Sequence, residues 1–206
     1  MGNHIATINK SKHKEHKILE FYKDRIPIKP GGETIEDILK QWHGKYKLLE
    51  EHDGYMQWLF PSRKQKRNPN VGILTAYEAK EIRNTIILKN RAYRAFLMML
   101  DFYGMEMVGK NEFQLKSKWL ERLDDLNRYK HNFKRITRIL KALRAFGYKV
   151  LMYHWLRFLA QLIYRDGKLI VASHSFQNYW VKTLGRKYRK KLLRYRQELS
   201  SKKFPS

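Results

Sequence analysis

From Thr34 onward, apolar residues return every three or four positions, and that period is what most restricts the fold. Ile35, Ile38, Leu39, Trp42, Tyr46 and Leu49 make one stripe, because residues three and four apart share a helix face. Thr34 with Asp37, and again Thr75 with Glu78, have the spacing of a capping box, in which each side chain satisfies a backbone N–H that the helix start leaves open. The second box opens a helical pattern that runs to Tyr103, where Gly104 supplies a stop. Asn111 is placed to cap a further helix with the stripe Leu115, Trp119, Leu123 and Leu126, and after a break near Tyr129 the stripe Phe133, Ile136, Leu140 and Leu143 runs to Gly147. Residues 150–164 are apolar on most sides, as in a central helix, and Phe176, Trp180, Leu184, Tyr188 and Leu192 repeat every four residues. An alternating strand pattern is confined to residues 168–172. The expectation is an all-α fold, one multi-helix domain of about seven helices over residues 18–200, with a basic C-terminal helix. Residues 1–17 read as a flexible basic N-terminus and 201–206 as a tail. Trp42, Trp58, Trp119 and Trp155 lie on apolar stripes and are expected to be buried.

A chain of 206 residues with 43% hydrophobic side chains buries enough surface, about 70% of what the unfolded chain exposes, to fold without a staple. Cysteine is absent, which removes disulfides, thiol nucleophiles and thiolate metal sites. The first seventeen residues lack an apolar core, unlike a secretory signal. The most apolar run, 150–164, is interrupted by Arg157 and is shorter than the ~20 residues that cross a bilayer, so no transmembrane segment is expected.

Charge is the second constraint. Lys and Arg number 44 against 19 Asp and Glu, a net charge of +25. Residues 126–206 carry 21 of those cations and only Asp166 and Glu198 as acids, a net of +19. A field so one-sided attracts polyanions. On a helix starting at Lys130, the side chains of Lys130, Lys134, Arg138, Lys141 and Arg144 share one face, opposite Phe133, Ile136, Leu140 and Leu143. A denser group follows in Arg186, Lys187, Arg189, Lys190, Lys191, Arg194 and Arg196, which suits phosphate contact or nuclear import. Like charges four residues apart destabilise a bare helix, so such a run favours an anionic partner.

Catalytic patterns are weak. His13-Lys14-Glu15-His16 is too short a cluster for a metal, and Glu50-Glu51-His52-Asp53 would fan around a helix instead of converging. No phosphate-binding loop, dinucleotide fingerprint or metalloprotease motif occurs. The reading is non-enzymatic, with no catalytic residue, no metal and no cofactor.

Phe21-Tyr22-Lys23, Ile35-Glu36-Asp37-Ile38-Leu39, Trp42-His43-Gly44-Lys45-Tyr46 and Tyr55-Met56-Gln57-Trp58-Leu59-Phe60-Pro61 resemble the conserved region of the opioid growth factor receptor family. So do the run from Ala92 to Gly104 and Arg135-Ile136-Thr137-Arg138-Ile139-Leu140-Lys141. Lys45, His52, Asp53, Ser62 and Lys64 depart from that pattern and make the surface near the aromatic run more basic or swap its polar groups. The resemblance implies a receptor for an enkephalin-type opioid peptide, associated with the nucleus, the perinuclear cytoplasm and the nuclear envelope as a peripheral protein, and restraining cell growth. A short peptide bearing Tyr, Phe and a carboxylate needs an aromatic slot and a cation. Trp42, Tyr46, Tyr55, Gln57, Trp58 and Arg63 are the candidates for it. The alternative is a basic nuclear protein that binds nucleic acid or another polyanion through the Lys130–Arg144 ridge and the Arg186–Arg196 run.

Overall fold

Both capping boxes form. In the computed structural model, which describes residues 16–52, 54–63 and 71–201, the Thr34 hydroxyl accepts from the Asp37 N–H while the Asp37 carboxylate accepts from the Thr34 N–H, and Thr75 and Glu78 do the same. They start α2 (Ile35–Gln41) and α5 (Ala76–Asn84), after a first helix α1 (Lys17–Tyr22). The expected stripe from Ile35 to Leu49 is not one helix. Trp42 ends α2, Gly44 turns with φ 76°, and α3 (Tyr46–Glu51) begins afresh, followed by α4 (Tyr55–Leu59). In the same way the pattern that ends at Tyr103 breaks at Thr85, whose extended backbone starts α6 (Ile86–Phe102).

Asn111 caps no helix. It sits at φ 65° in the turn of an antiparallel hairpin, β1 (Met105–Gly109) and β2 (Glu112–Leu115), with Met105 opposite Leu115 and a bulge beside Gly109. Asn tolerates this left-handed geometry better than other residues with a side chain. Then come α7 (Leu120–Arg128), α8 (His131–Ala145) and α9 (Lys149–Ala160), the last drawn out by a π turn, Gln161–Arg165. Residues 168–172 form no strand; Ile170–Ala172 is a 3-10 turn. It leads into the three-residue α10 (Ser173–Ser175), a second π turn (Phe176–Trp180) and a 3-10 turn (Val181–Thr183). The basic helix α11 (Arg186–Ser201) closes the chain. These breaks give eleven α-helical segments among the described residues where about seven were expected, and the fold is predominantly helical.

The centre is built on α6 and α9. Phe96 meets Trp155 edge to face at 5.1 Å, and Phe113 of the hairpin packs between Phe96 and Phe158. Trp42, Trp58 and Trp155 are buried, and so is Trp180; Trp119 is half-buried with the Lys168 ammonium 4.4 Å from its ring. No helix of the described residues is long and apolar enough to cross a membrane. The expectations for residues 1–15, for Asp53 and Lys64, and for 202–206 concern residues outside the described ones.

Glu36 clips α2 to α6. It accepts from Arg91 Nε at 2.8 Å and from Arg94 Nη1 at 2.9 Å, and Arg91 also donates to the Tyr22 carbonyl. Burial pushes the Glu36 carboxyl up, but the two guanidinium hydrogen bonds outweigh it and hold the group below its ordinary value. A carboxyl whose folded pKa lies below the unfolded value of about 4.3 contributes in full above that value and loses its contribution as pH falls through the folded one. Glu36→Gln is therefore expected to cost about 1–2 kcal/mol near neutral pH and progressively less at a pH below the folded value. Urea denaturation at the two pH values measures it. A pH-independent difference would show that the charge is irrelevant.

Candidate ligand groove

The amphipathic pattern of α8 settles its orientation. Phe133, Ile136, Ile139, Leu140 and Leu143 are buried, while Lys130, Lys134, Lys141 and Arg144 are exposed. Arg138 lies between the two faces, half-buried and donating to the Phe60 carbonyl at 3.2 Å, and burial pulls its pKa down from the usual arginine value. Facing this ridge is the chain from 170 to 183. Trp180 fastens it: the fully buried indole donates through Nε1 to the Phe133 carbonyl at 3.2 Å and lies 3.1 Å from Thr137 Oγ1. Arg144 Nη1 donates to the Thr183 carbonyl at 2.9 Å and ties the far end.

Between the ridge and this wall lie two cavities of about 580 and 610 Å³, which share Ser62, Thr137, Lys141 and Tyr179 and so form one groove. The segment that follows α4 supplies the third side with Pro61, Ser62 and Arg63. Arg83 and Lys182 complete the set: eight Lys and Arg side chains line the groove among the described residues, and no Asp or Glu does. Its apolar surface comes from Phe133, Leu74, Val171 and Tyr179, the last 55% exposed and thus open to a ligand. Cations without neighbouring acids, beside an apolar floor, can hold a carboxylate or phosphate and an attached ring.

The structure divides the expected peptide slot. Trp42 packs edge-on against Tyr55 at 5.5 Å, the Tyr55 hydroxyl donates to the Leu49 carbonyl at 2.9 Å, and Trp58 rests on Phe21 at 5.3 Å. All three are core residues. Tyr46 is half-buried under the Arg122 guanidinium, and Gln57 is half-buried. Arg63 alone reaches the groove, where it meets the α8 ridge, a meeting that no spacing in the chain announces. Tyr179 stands three residues from Phe176 and beside Trp180, so its spacing reads as core, and its exposure of 55% has no signal in the chain. Of the acidic run at 50–53, Glu50 pairs with His131 and Arg135, and His52 Nδ1 accepts from the Gly54 N–H. Among the described residues, no three His, Asp or Glu side chains are grouped to hold a metal.

On α11 the cations separate into two kinds. Arg186, Lys187, Lys190, Lys191 and Arg194 are exposed, opposite the buried Leu192 and Leu199. Arg189 turns back and donates to the carbonyls of Lys182 and Leu184 at 3.0 and 3.1 Å, and Arg196 is half-buried with its guanidinium 5.9 Å from the Tyr164 ring. The first turn of α11 carries no acid, so its basic residues face the positive end of the helix dipole.

Comparison with known proteins adds a family likeness. The conserved region of the opioid growth factor receptor matches residues 11–204. Opioid growth factor receptor-like protein 1 of Mus musculus is 38% identical over 182 residues, which is 87% of this chain and 39% of that protein. The Xenopus tropicalis protein of the same name is 39% identical over 179 residues, 86% of this chain and 35% of that protein. The opioid growth factor receptor of Homo sapiens is 38% identical over 131 residues, 63% of this chain and 19% of that receptor. The chain thus spans less than half the length of these curated relatives. No solved structure matches it.

Proposed function

The chain belongs to the opioid growth factor receptor family, and from that premise we propose that it is a non-enzymatic receptor module whose groove along α8 takes an enkephalin-type peptide by its terminal carboxylate. The observation that carries the reading is the groove's lining, in which Lys141 and Arg144 stand beside Arg63 and Tyr179 with no competing acid. A volume of about 580 Å³ on one side of Tyr179 falls within the range of small-ligand pockets, roughly 300–1,000 Å³. The relatives' names point to an opioid growth factor, and the enkephalin-type peptide is what the family resemblance implies. Growth restraint and residence in the nucleus and at its envelope are further parts of the proposal and rest on the family alone. A fluorescent fusion spread evenly through the cell would remove the nuclear part.

Titration calorimetry tests the site with the pentapeptide as free acid and as C-terminal amide. A hydrogen bond to a charged group contributes about 1.5–3 kcal/mol, so the amide is expected to bind about ten- to a hundredfold more weakly. Lys141→Gln, which leaves the Arg144 tie to Thr183 in place, is expected to weaken the acid and leave the amide nearly unchanged. Equal affinities for acid and amide, or no heat with either, would remove the reading.

A further inference from the structure

Independently of the groove's ligand, we propose that the exposed face of α11 is a nucleic-acid binding surface that grips the phosphate backbone without reading bases. Arg186, Lys187, Lys190, Lys191 and Arg194 all project from the side of the helix opposite Leu192 and Leu199. None of the five pairs with an acid among the described residues. The ion pairs gather elsewhere, at Glu20, Glu36, Glu50, Asp101, Arg122 and Arg165. Five charges over the rise from Arg186 to Arg194, about 12 Å at 1.5 Å per residue, give about one charge per 2.4 Å. Duplex DNA carries about one per 1.7 Å of axis over both strands and about one per 3.4 Å along a single strand, so the helix lies between these densities and is opposite in sign.

The face is rigidly set. Arg189 holds the start of α11 to the carbonyls of Lys182 and Leu184, so the cationic residues are presented on a fixed helix beside Lys182. Arg144 and Lys149 extend the same sign past Gly185 and Tyr188, because they line one small cavity with them. A membrane surface fits less well. An interfacial helix inserts its apolar side, and here that side is spent on α9 and the π turn after it. Phosphate contact asks only for the cations.

The test is binding of a fluorescent duplex of random sequence to the full chain over a series of salt concentrations. Each phosphate neutralised adds about 0.9 to the slope of log affinity against log salt. Lys190→Gln, Lys191→Gln and Arg194→Gln together are expected to lower the slope by up to about 2.7. Lys191 also lies 5.9 Å from the Tyr153 ring, so a second variant, Arg186→Gln with Lys187→Gln, guards against a packing effect and is expected to lower the slope by up to about 1.8. Far-UV circular dichroism checks that both fold. Titration of the two variants with the free-acid peptide is expected to match wild type, and a failure of the peptide reading would leave the duplex result standing. An unchanged slope in both variants overturns the proposal. Tighter binding to phosphatidylserine vesicles than to the duplex at equal salt overturns it in favour of a lipid surface.

Discussion

Trp180→Ala is expected to cost about 4 kcal/mol, near the middle of the range for removing a buried aromatic side chain, and to open the wall of the groove. Trp180 is fully buried and sits in an aromatic series with Phe133 at 5.9 Å and Phe176 at 6.2 Å, and Phe176 in turn meets Tyr164. Its indole N–H bonds the Phe133 carbonyl, which ties the 170–183 segment to α8. Truncation removes the ring and that tie together. In a chain of this size the loss amounts to a fall in melting temperature of roughly 10 °C, read by calorimetry. Peptide binding at the groove should fall with it, since Tyr179 and Lys182 ride on the same segment. Trp180→Phe keeps most of the apolar volume and loses only the N–H, so about 1–2 kcal/mol is expected from it. A loss below about 1 kcal/mol for the alanine variant would mean that the segment is held by its ends alone.

What the sequence makes legible here is local. The Thr34–Asp37 and Thr75–Glu78 boxes are complete within four residues, and both form. The two faces of α8 separate as the period requires, because neighbours on one helix fix them. The stripe across Trp42 fails for the opposite reason: Gly44 and the buried Trp42 serve a turn whose use depends on distant partners. The hairpin was hidden because Met105, Met107, Phe113 and Leu115 alternate over strands too short to stand out, with Asn111 as an ambiguous signal between cap and turn. Density of aromatics in the run 55–60 reads alike as slot or core, and only packing on Phe21 and Leu49 decides for core. The groove itself joins Arg63, Arg83, α8 and Lys182, which are far apart along the chain. A short-range pattern carries no trace of such a meeting.

Glu50→Ala is the second large effect, expected to cost about 3 kcal/mol and to loosen the start of α8. That helix begins poorly on its own terms. Its cap position is Lys130, which makes no side-chain cap bond, and its first turn holds no acid. Glu50 of α3 brings the missing negative charge from elsewhere: Oε1 lies 2.6 Å from His131 Nε2, and Oε2 accepts from Asn132 at 3.1 Å and Arg135 at 3.3 Å. An acid near a helix N-terminus is favoured by the dipole by about 0.3–1 kcal/mol. The larger share comes from what removal strands. Asn132 is 1% exposed and would lose the acceptor of its amide N–H. Arg135, with a side chain 12% exposed, would lose its charged partner and keep the carbonyls of Leu49 and Glu50 and the Asn132 Oδ1. Breaking a fully buried ion pair costs about 3–5 kcal/mol; Glu50 retains 24% exposure, which sets the expectation at the lower end. Glu50→Gln keeps an acceptor for both donors and is expected to recover more than half of the loss. Hydrogen exchange separates the effect from a general weakening: amides of the first two turns of α8 should lose protection before those near Ala145. Uniform loss along the helix would show that Glu50 stabilises the core at large and not the start of the ridge that lines the groove.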